Sequence, residues 1–442
     1  MMDLPVTEDP ESQNRGNFQL LRLLGVAVLV GVLGALAVLM FHKFLLLFES
    51  FLYISNNGLV ADAAGMSPER RIIFPALGGL VAGLILQYFL MRSKNEHGSD
   101  YMESIIAGID VPLQSTLLKS LSSAATIISG GSIGREGSMV QLSALCGGLS
   151  GKILKLSYSE RRFAVACGAA AGLAGAYNTP IAGALFVAEI VLGSISVGSF
   201  GPLLLAAVIS DSVVRHITNV GPIFATTSSQ LQSIPELFFV LATGVMAGLF
   251  GPLFIAALNK AHLKFASLRM PLWLKMALAG LAAGSLSAIR PEVWGNGYST
   301  VNSLLHQQWL WQSVLLIMLL KFFATVLTSS SGAVGGVFTP TLFIGAALGT
   351  LAGGITQFFL PSVSVTAFTL VGMSAFLAAV THAPLTAVVM VSEMTSGYDL
   401  VPALVLSSLA GYYILSVLHP ASIYARSIPK NHPTQISPAP NL

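Results

Sequence analysis

The sequence predicts an all-α integral membrane protein, and three observations support this prediction. Of the 442 residues, 54% are hydrophobic and only 9% are charged, whereas soluble domains carry about 25% charged residues. Long apolar stretches recur along the chain, and shorter apolar stretches between them are interrupted by glycine and proline. Such a chain cannot cover its surface in water, so we expect it to fold within a bilayer.

Six apolar stretches are candidates to cross about 30 Å of hydrocarbon. They are Leu23–Phe41, Ile72–Met91, Leu237–Leu258, Leu274–Ile289, Leu310–Leu327 and Val401–Leu418. Six shorter stretches lie between them: Ser138–Leu149, Phe163–Ala176, Ile181–Leu192, Val337–Leu351, Phe368–Val380 and Leu385–Met394. Pieces of about 12 residues are too short to span, so many helices should be half-length or steeply tilted. Broken helices occur at membrane depth where they are buried in protein or line a polar cavity.

Both ends of the chain are predicted to be polar cytoplasmic tails, residues 1–19 and 426–442. The first tail contains four acidic residues, whereas a secretory signal opens with a positive segment. The net charge of +3 is too small to indicate a nucleic-acid partner. The two cysteines show no metal-ligand spacing, and no metal site is expected.

Two segments in the middle and near the end of the chain resemble each other. Residues 176–189 align with residues 380–393, and each segment has a proline near its start and a glutamate at its end. The two glutamates, Glu189 and Glu393, lie at the ends of apolar helices in equivalent positions. We therefore predict that they are structural and cap facing loops.

An earlier pair of segments aligns at nearly the same offset, which indicates that the chain is built from two repeats. Residues 129–138 align with residues 331–340, and both are rich in glycine. We predict a first membrane repeat over residues 20–217, a linker over 218–235 and a second repeat over 236–425. Repeated halves with interrupted helices are typical of transporters whose binding site lies at the repeat interface.

Each repeat offers a glycine-rich turn directly before a predicted helix. In the first repeat Gly134 and Gly137 flank Glu136, and in the second a glycine pair precedes Val337 and Phe338. The start of a helix carries partial positive charge and unpaired N–H donors, so it attracts anions. Two such starts meeting at one point would hold an anion without a full positive charge, which allows the ion to leave again.

Glu136 is an acidic residue in an apolar region, where a charged side chain is costly unless it is functional or paired. Its neighbour Arg135 is a poor partner, because adjacent residues on a helix point apart. The simplest explanation is that Glu136 occupies the anion's place when charged and leaves it when protonated. The sequence thus predicts a gate that depends on protons.

These residues resemble the motifs of a known membrane protein family, the ClC chloride channels and transporters. Residues 134–137, Gly-Arg-Glu-Gly, resemble the gating-glutamate motif, and residues 336–340 resemble the second anion-binding motif, Gly-x-Phe-x-Pro. Tyr424 lies where the family places the tyrosine whose hydroxyl contacts the central anion. The resemblance extends from about residue 20 to 428 and is closest to the bacterial ClcB-like branch.

The resemblance implies the ClC fold, with two inverted repeats and many tilted and broken helices. It also implies a homodimer with a pore in each subunit, located in the bacterial inner membrane with both ends cytoplasmic. Glu136 would be the gate and the proton acceptor, and no cofactor is implied. The implied anion-binding residues are Ser99, Gly134, Arg135, Glu136, Gly137, Val337, Phe338, Thr339 and Tyr424.

The chain departs from the family pattern at two positions that bear on mechanism. Residues 98–102 read Gly-Ser-Asp-Tyr-Met where the family usually has Gly-Ser-Gly-Ile-Pro, so Ser99 remains but the inner coordination of the anion is altered. The inner proton-relay glutamate of the transporters falls at Ile190, which cannot carry a proton. The anion preference and the coupling to protons are therefore left open.

The sequence supports chloride transport through a gated pore, slightly favouring uncoupled or weakly coupled conduction because of Ile190. A bacterial protein of this type would resemble the electrical shunts of acid resistance, in which chloride offsets charge moved by proton-consuming decarboxylation. One alternative is a proton-coupled chloride antiporter. A further alternative, a cation-coupled carrier for a small organic anion, predicts a cation-binding cluster that we do not find. No catalytic set is evident, so an enzyme is not expected.

Overall fold

A computed structural model gives the structure of the chain, and its described residues are almost entirely helical. The described residues are 10–53, 59–92, 100–224, 226 and 233–425. Besides helices and turns, they include one isolated antiparallel bridge between Gly134 and Gly336. The predicted all-α class is confirmed.

Seventeen α-helices make up the described part of the chain. They are α1 (Pro10–Leu52), α2 (Leu59–Gly65), α3 (Pro68–Arg92), α4 (Tyr101–Ala107), α5 (Leu113–Ile128), α6 (Glu136–Ile153), α7 (Tyr158–Tyr177), α8 (Pro180–Phe186), α9 (Val197–Thr218), α10 (Ile234–Ser267), α11 (Leu272–Ile289), α12 (Tyr298–His306), α13 (Trp311–Ser330), α14 (Phe338–Phe359), α15 (Val365–Thr381), α16 (Pro384–Thr395) and α17 (Val401–Leu418). A π-helical turn, Val187–Val191, continues α8.

Among the described residues, 8 helices are long and apolar enough to cross a membrane. They include all the predicted spans and two others, Gly198–Thr218 and Phe338–Phe359. The predicted short stretch 337–351 was wrong, because α14 continues through Gly353 and Gly354 to a length of 22 residues. Glycines within a membrane helix permit close packing and need not end it.

Two other predicted short stretches also belong to full-length helices. α6 has 18 residues and α7 has 20. Their ends are polar and therefore lie outside the apolar pattern, but they continue both helices. At the start of α7, Ser157 and Glu160 form a capping box, which satisfies N–H groups that the helix itself leaves unpaired.

The truly short helices, α8 and α16, begin in the same way in both repeats. The preceding helices end at Asn178 and His382, both in the left-handed region with φ of 54° and 60°. The next residues, Thr179 and Ala383, have nearly equal backbone angles (φ −133°, ψ 77° and φ −131°, ψ 75°), and a proline follows each. The repeated backbone geometry supports the predicted internal repeat.

The two repeats hold each other through reciprocal carboxylates. Glu393, at the end of α16, accepts hydrogen bonds from the N–H groups of Ile181 (3.0 Å) and Ala182 (2.8 Å) at the start of α8. Glu189, in the π-helical turn after α8, accepts hydrogen bonds from the N–H (2.8 Å) and hydroxyl (2.6 Å) of Thr386 at the start of α16. Each glutamate thus pairs N–H groups that the other helix leaves free. Their predicted structural role is confirmed.

Glycines bring the helices that carry the predicted turns close to their neighbours. A Cβ atom at Gly349 of α14 would lie 2.1 Å from the carbonyl oxygen of Phe368 in α15. A Cβ atom at Gly168 of α7 would lie 2.4 Å from the carbonyl oxygen of Ser143 in α6. Small residues at helix contacts are the usual packing device in membranes. Here they fix the positions of α6 and α14.

The predicted domain boundaries stay predictions. Residues 1–9 of the N-terminal tail, residues 225 and 227–232 of the linker, and the C-terminal tail 426–442 lie outside the described residues.

Replacing Glu393 by Ala should lower the stability of the protein. The change leaves the N–H groups of Ile181 and Ala182 without their charged acceptor, and a hydrogen bond to a charged group contributes about 1.5–3 kcal/mol. The measurement is the apparent melting temperature of the purified protein in detergent. Glu69→Ala, at an exposed position of α3, is the control and should melt close to the unaltered protein. Equal melting temperatures for both variants would contradict the capping role.

Candidate functional site

The two glycine-rich turns meet in the interior of the protein. The N–H of Gly134 donates to the carbonyl of Gly336 at 2.7 Å, and the N–H of Gly336 donates to the carbonyl of Gly134 at 3.1 Å. Just beyond this bridge, α6 begins at Glu136 and α14 begins at Phe338. The structure therefore places two helix starts, one from each repeat, at a single point.

Glu136 extends from the start of one of these helices to the start of the other. Its side chain is buried (3% exposed). Oε1 accepts hydrogen bonds from the N–H of Thr339 at 3.0 Å and from the Thr339 hydroxyl at 2.7 Å. Oε2 accepts no hydrogen bond from the described residues. The carboxylate is thus stabilised by the first turn of α14, which is a site suited to any small anion.

The glycines beside Glu136 are required by the position of its carboxylate. A Cβ atom at Gly134 would lie 1.9 Å from Oε1 of Glu136, and one at Gly336 would lie 3.2 Å from the same atom. A side chain at Gly134 would therefore displace the carboxylate. The bare backbone of these turns lets a charged group, or an ion in its place, lie against the peptide groups.

Tyrosines that the sequence analysis did not identify surround the gate. The hydroxyl of Tyr177 lies 3.1 Å from Oγ1 of Thr339, and Tyr177 is completely buried. The guanidinium of Arg135 lies over the Tyr298 ring, 5.2 Å from its centre. Arg135 and Glu136 form no ion pair in the described structure, as expected for adjacent helical residues. The one sequence signal for Tyr177 was its place within the repeated segment.

Tyr424 is held near the same point by its neighbours in the chain. The N–H of Ile423 donates to the carbonyl of Val380, at the end of α15, at 3.0 Å. The Tyr424 ring packs edge-on against Phe186, with ring centres 5.7 Å apart, and the Phe186 ring in turn packs against Phe338 at 6.3 Å. The tyrosine therefore lies beside the start of α14.

A cavity of about 420 Å³ connects Glu136 and Tyr424 to the surface of the described structure. From these two residues it extends to Asp100, Lys119 and His262, and His262 is exposed. The sequence analysis noted Asp100 only as a departure from the family motif, and did not identify Lys119 or His262 as cavity residues. Nothing in the spacing of these three residues along the chain reveals that they share a cavity.

The structure brings most of the predicted anion-binding residues together. Those that line the cavity are Glu136, Gly137, Val337, Phe338 and Tyr424. Those that lie directly beside it are Gly134 in the backbone bridge, Thr339 at the Glu136 carboxylate and Arg135 over the Tyr298 ring. Ser99 lies outside the described residues. Ile190 is buried in the π-helical turn and does not line the cavity.

Residues 78–416 match the sequence profile of a family described as voltage gated chloride channel. The chain belongs to the voltage-gated chloride channel (ClC) family. Together with the apolar spans of the described helices, membership of the ClC family makes it a multi-pass membrane protein with the predicted ClC fold.

Two curated ClC relatives are similar over nearly the whole chain. A putative chloride channel protein, ClcB-like, from Ralstonia nicotianae is 45% identical over 416 residues, which cover 92% of this chain and 97% of that protein. The voltage-gated ClC-type chloride channel ClcB of Escherichia coli is 40% identical over 418 residues, covering 93% and 99%. The predicted ClcB-like branch is confirmed, and the bacterial relatives agree with the predicted inner-membrane location.

The fold is also similar to that of a ClC protein of known structure. The crystal structure of a slow cyanobacterial Cl⁻/H⁺ antiporter superposes with a TM-score of 0.80 at 25% sequence identity, covering 92% of this chain and 96% of the other. The arrangement of helices in this chain is thus that of a ClC transporter.

Replacing Thr339 by Val should release the gate more easily. The change removes the hydroxyl bond to Oε1 of Glu136 and keeps the size and the backbone N–H of the residue. Because a hydrogen bond to a charged group contributes about 1.5–3 kcal/mol, we expect chloride efflux from proteoliposomes at neutral pH to rise about tenfold or more.

The matched control for this variant is Thr341→Val. Thr341 lies in the same turn of α14, but its hydroxyl donates to the carbonyl of Phe338 at 2.6 Å and not to Glu136. Efflux through the control should equal that of the unaltered protein. If both variants transport at the same rate, the Thr339 hydroxyl does not restrain Glu136.

Proposed function

We propose that this protein carries chloride across the bacterial inner membrane through a pore that opens when Glu136 is protonated. The observation that carries the proposal is the position of Glu136, whose Oε1 accepts the N–H of Thr339 at the start of α14. The side chain occupies a place in which an anion would be bound. ClC membership and the names of the chloride-channel relatives support chloride as the ion.

The direction of the pH effect follows from the charge of Glu136. When deprotonated, its carboxylate competes with chloride for the same donors on α14. Protonation removes the negative charge, weakens the attraction to the helix start and leaves those donors to chloride. We therefore expect chloride flux to be higher in acid than at neutral pH.

The remaining site residues have complementary roles in the proposal. The backbone N–H groups of the two turns hold the anion by partial charges, which bind it without trapping it. The Tyr424 hydroxyl donates to the anion from the other side of the cavity, and the resemblance to the ClC family assigns a second hydroxyl to Ser99, which lies outside the described residues. The N–H donors belong to Gly134, Arg135, Glu136, Gly137, Val337, Phe338 and Thr339.

The cavity opens toward the more basic side of the protein. α4, whose first turn lies at the cavity, ends against α7, where Arg162 donates to the carbonyls of Ile105 and Ile106 at 2.8 Å. His262 is flanked in α10 by Lys260 and Lys264. Because lysine and arginine concentrate on the cytoplasmic side of membrane proteins, we propose that the cavity faces the cytoplasm.

Exchange of chloride for protons is a second candidate function, favoured by two observations. The similar cyanobacterial structure is that of a Cl⁻/H⁺ antiporter. In addition, the cavity below Glu136 contains a second carboxyl group, that of Asp100. In either case the protein would move net charge, as an electrical shunt during bacterial acid resistance requires.

We also propose that two copies form a homodimer with one pore in each. Support comes from the short helices α8 and α16, which cannot span a bilayer yet expose large apolar side chains. Ile181 of α8 is 41% exposed and Leu385 of α16 is 52% exposed. A second copy packed against these helices would cover them. We expect no enzymatic activity.

Replacing Glu136 by Gln should make chloride transport independent of pH. Glutamine imitates the protonated side chain and cannot become charged, so the donors of α14 remain open to chloride throughout. The measurement is chloride efflux from proteoliposomes over a series of acidic to neutral pH values. The unaltered protein should slow as the pH rises, whereas the variant should stay at the acid rate. A variant that slows like the unaltered protein would remove Glu136 as the gate.

Replacing Tyr424 by Phe should weaken chloride binding. The change removes one hydrogen bond to a charged ligand, which contributes about 1.5–3 kcal/mol, so affinity measured by titration calorimetry should fall about tenfold or more. Tyr413→Phe is the control, because Tyr413 is 62% exposed on α17 and should bind chloride as the unaltered protein does. Unchanged affinity in the Tyr424 variant would show that its hydroxyl does not contact the anion.

A further inference from the structure

We propose that Asp100 is the inner proton acceptor of this protein, the group that exchanges protons between the cytoplasm and Glu136. The inference rests on the proposed function, because it requires Glu136 to be the protonatable gate. It assigns to Asp100 the task for which Ile190, at the equivalent of the family's inner glutamate, has no suitable side chain.

The first observation is that Asp100 and Glu136 line one continuous cavity. Among the described residues that line it, these two are the only carboxylic acids. Glu136 is buried, Asp100 is partly exposed, and His262, which lines the same cavity, is exposed. The cavity volume of about 420 Å³ accommodates a chain of water molecules, each of which occupies about 30 Å³ in the liquid. The proposal routes protons between the two carboxyl groups through water in this shared cavity.

The second observation is that the surrounding structure holds Asp100 at the cavity. Asp100 is the N-cap of α4, and its Oδ1 accepts the N–H of Tyr101 at 2.7 Å. The same N–H also donates to Oε1 of Gln141 at 2.8 Å, and Gln141 donates to the hydroxyl of Thr116 at 3.2 Å. Gln141 belongs to α6, one turn beyond Glu136. The N–H group that binds the Asp100 carboxylate thus also binds α6, the helix that carries Glu136.

The charged groups around Asp100 allow it to exist in both protonation states. Lys119 of α5 attracts the Asp100 carboxylate and so favours its charged form, whereas Glu103 on α4 repels it. The other ionisable groups on neighbouring elements are Glu136 on α6, Arg162 on α7, Glu189 in the π-helical turn, His262 on α10, and Tyr101 and Tyr424. Glu189 and Arg162 are bound to backbone groups of α16 and α4, so they do not compete for the cavity.

Tyr424 connects the two carboxyl groups electrostatically. Tyr424 lines the same cavity as Glu136 and Asp100, and its hydroxyl is within electrostatic range of both. An anion bound by the Tyr424 hydroxyl would therefore feel the charge of each. A protonated Asp100 would no longer repel an anion in the cavity, so chloride that leaves the site can pass Asp100 to the cytoplasm while the proton moves the other way.

The proton transfer is balanced at each step. A proton from the cytoplasmic solution binds the Asp100 carboxylate and makes it neutral. It then passes through the cavity to the Glu136 carboxylate, after that side chain has left α14 in favour of chloride, and Asp100 regains its negative charge. Protonated Glu136 releases the proton on the opposite side, and its carboxylate returns to Thr339. Chloride moves in the direction opposite to the proton.

The test uses the full-length protein in proteoliposomes under a chloride gradient, with chloride efflux and external pH recorded in the same sample. Asp100→Asn removes the titratable group and keeps the helix cap, because Asn and Asp are equally good N-caps. Asp110→Asn is the matched control, since Asp110 is an exposed aspartate that pairs with Lys152 and does not line the cavity. Asp100→Glu tests for rescue by a second carboxylate.

We expect the unaltered protein and Asp110→Asn to move protons uphill as chloride leaves. Asp100→Asn should lose at least about nine-tenths of this proton movement while chloride efflux continues, and Asp100→Glu should restore part of it. Proton movement in Asp100→Asn equal to that of the control would overturn the proposal, as would an unaltered protein that moves chloride without protons. Both results leave the gate intact, because the proposed function fails only if Glu136→Gln still responds to pH.

Discussion

The whole structure depends on the contact between one carboxylate and the start of a helix from the other repeat. Glu136 begins α6, and its Oε1 is bound by the N–H and hydroxyl of Thr339 in the first turn of α14. This is possible only because Gly134 and Gly336 form a backbone bridge without side chains between the two helices. The remaining helices hold these two starts together, through close glycine contacts and through the reciprocal glutamates that join the short helices.

A site made of partial charges explains how the same place can serve a side chain and an ion. The first turn of a helix offers several N–H donors and about half a positive charge, which is enough to stabilise a carboxylate or chloride but not both. The guanidinium of Arg135, the residue before Glu136, lies over the Tyr298 ring. In the proposed function Glu136 and the anion therefore compete for this site, and protonation decides the outcome.

Sequence reasoning found this site because its residues are local in the chain, and missed the groups that assemble only in three dimensions. The two glycine-rich turns, Glu136 and the repeat are visible as short motifs. Tyr177 contributes to the gate from the end of a helix with no motif of its own. The predicted helix lengths were too short where a polar end is capped, as at Ser157. They were also too short where glycines such as Gly353 lie within a continuous helix.

The difference between sequence position and position in the folded protein also matters for Ile190 and for the coupling of chloride to protons. Ile190 has no titratable side chain, but this argues against proton transfer only if the proton must pass through Ile190. In this structure Ile190 does not line the cavity, whereas Asp100 does, and Asp100 occupies a position where the family motif usually has glycine. Loss of one carboxylate and gain of another along the same pathway would preserve the transfer. The proposed transfer requires a protonatable group in the cavity that Glu136 also lines, and Asp100 is such a group.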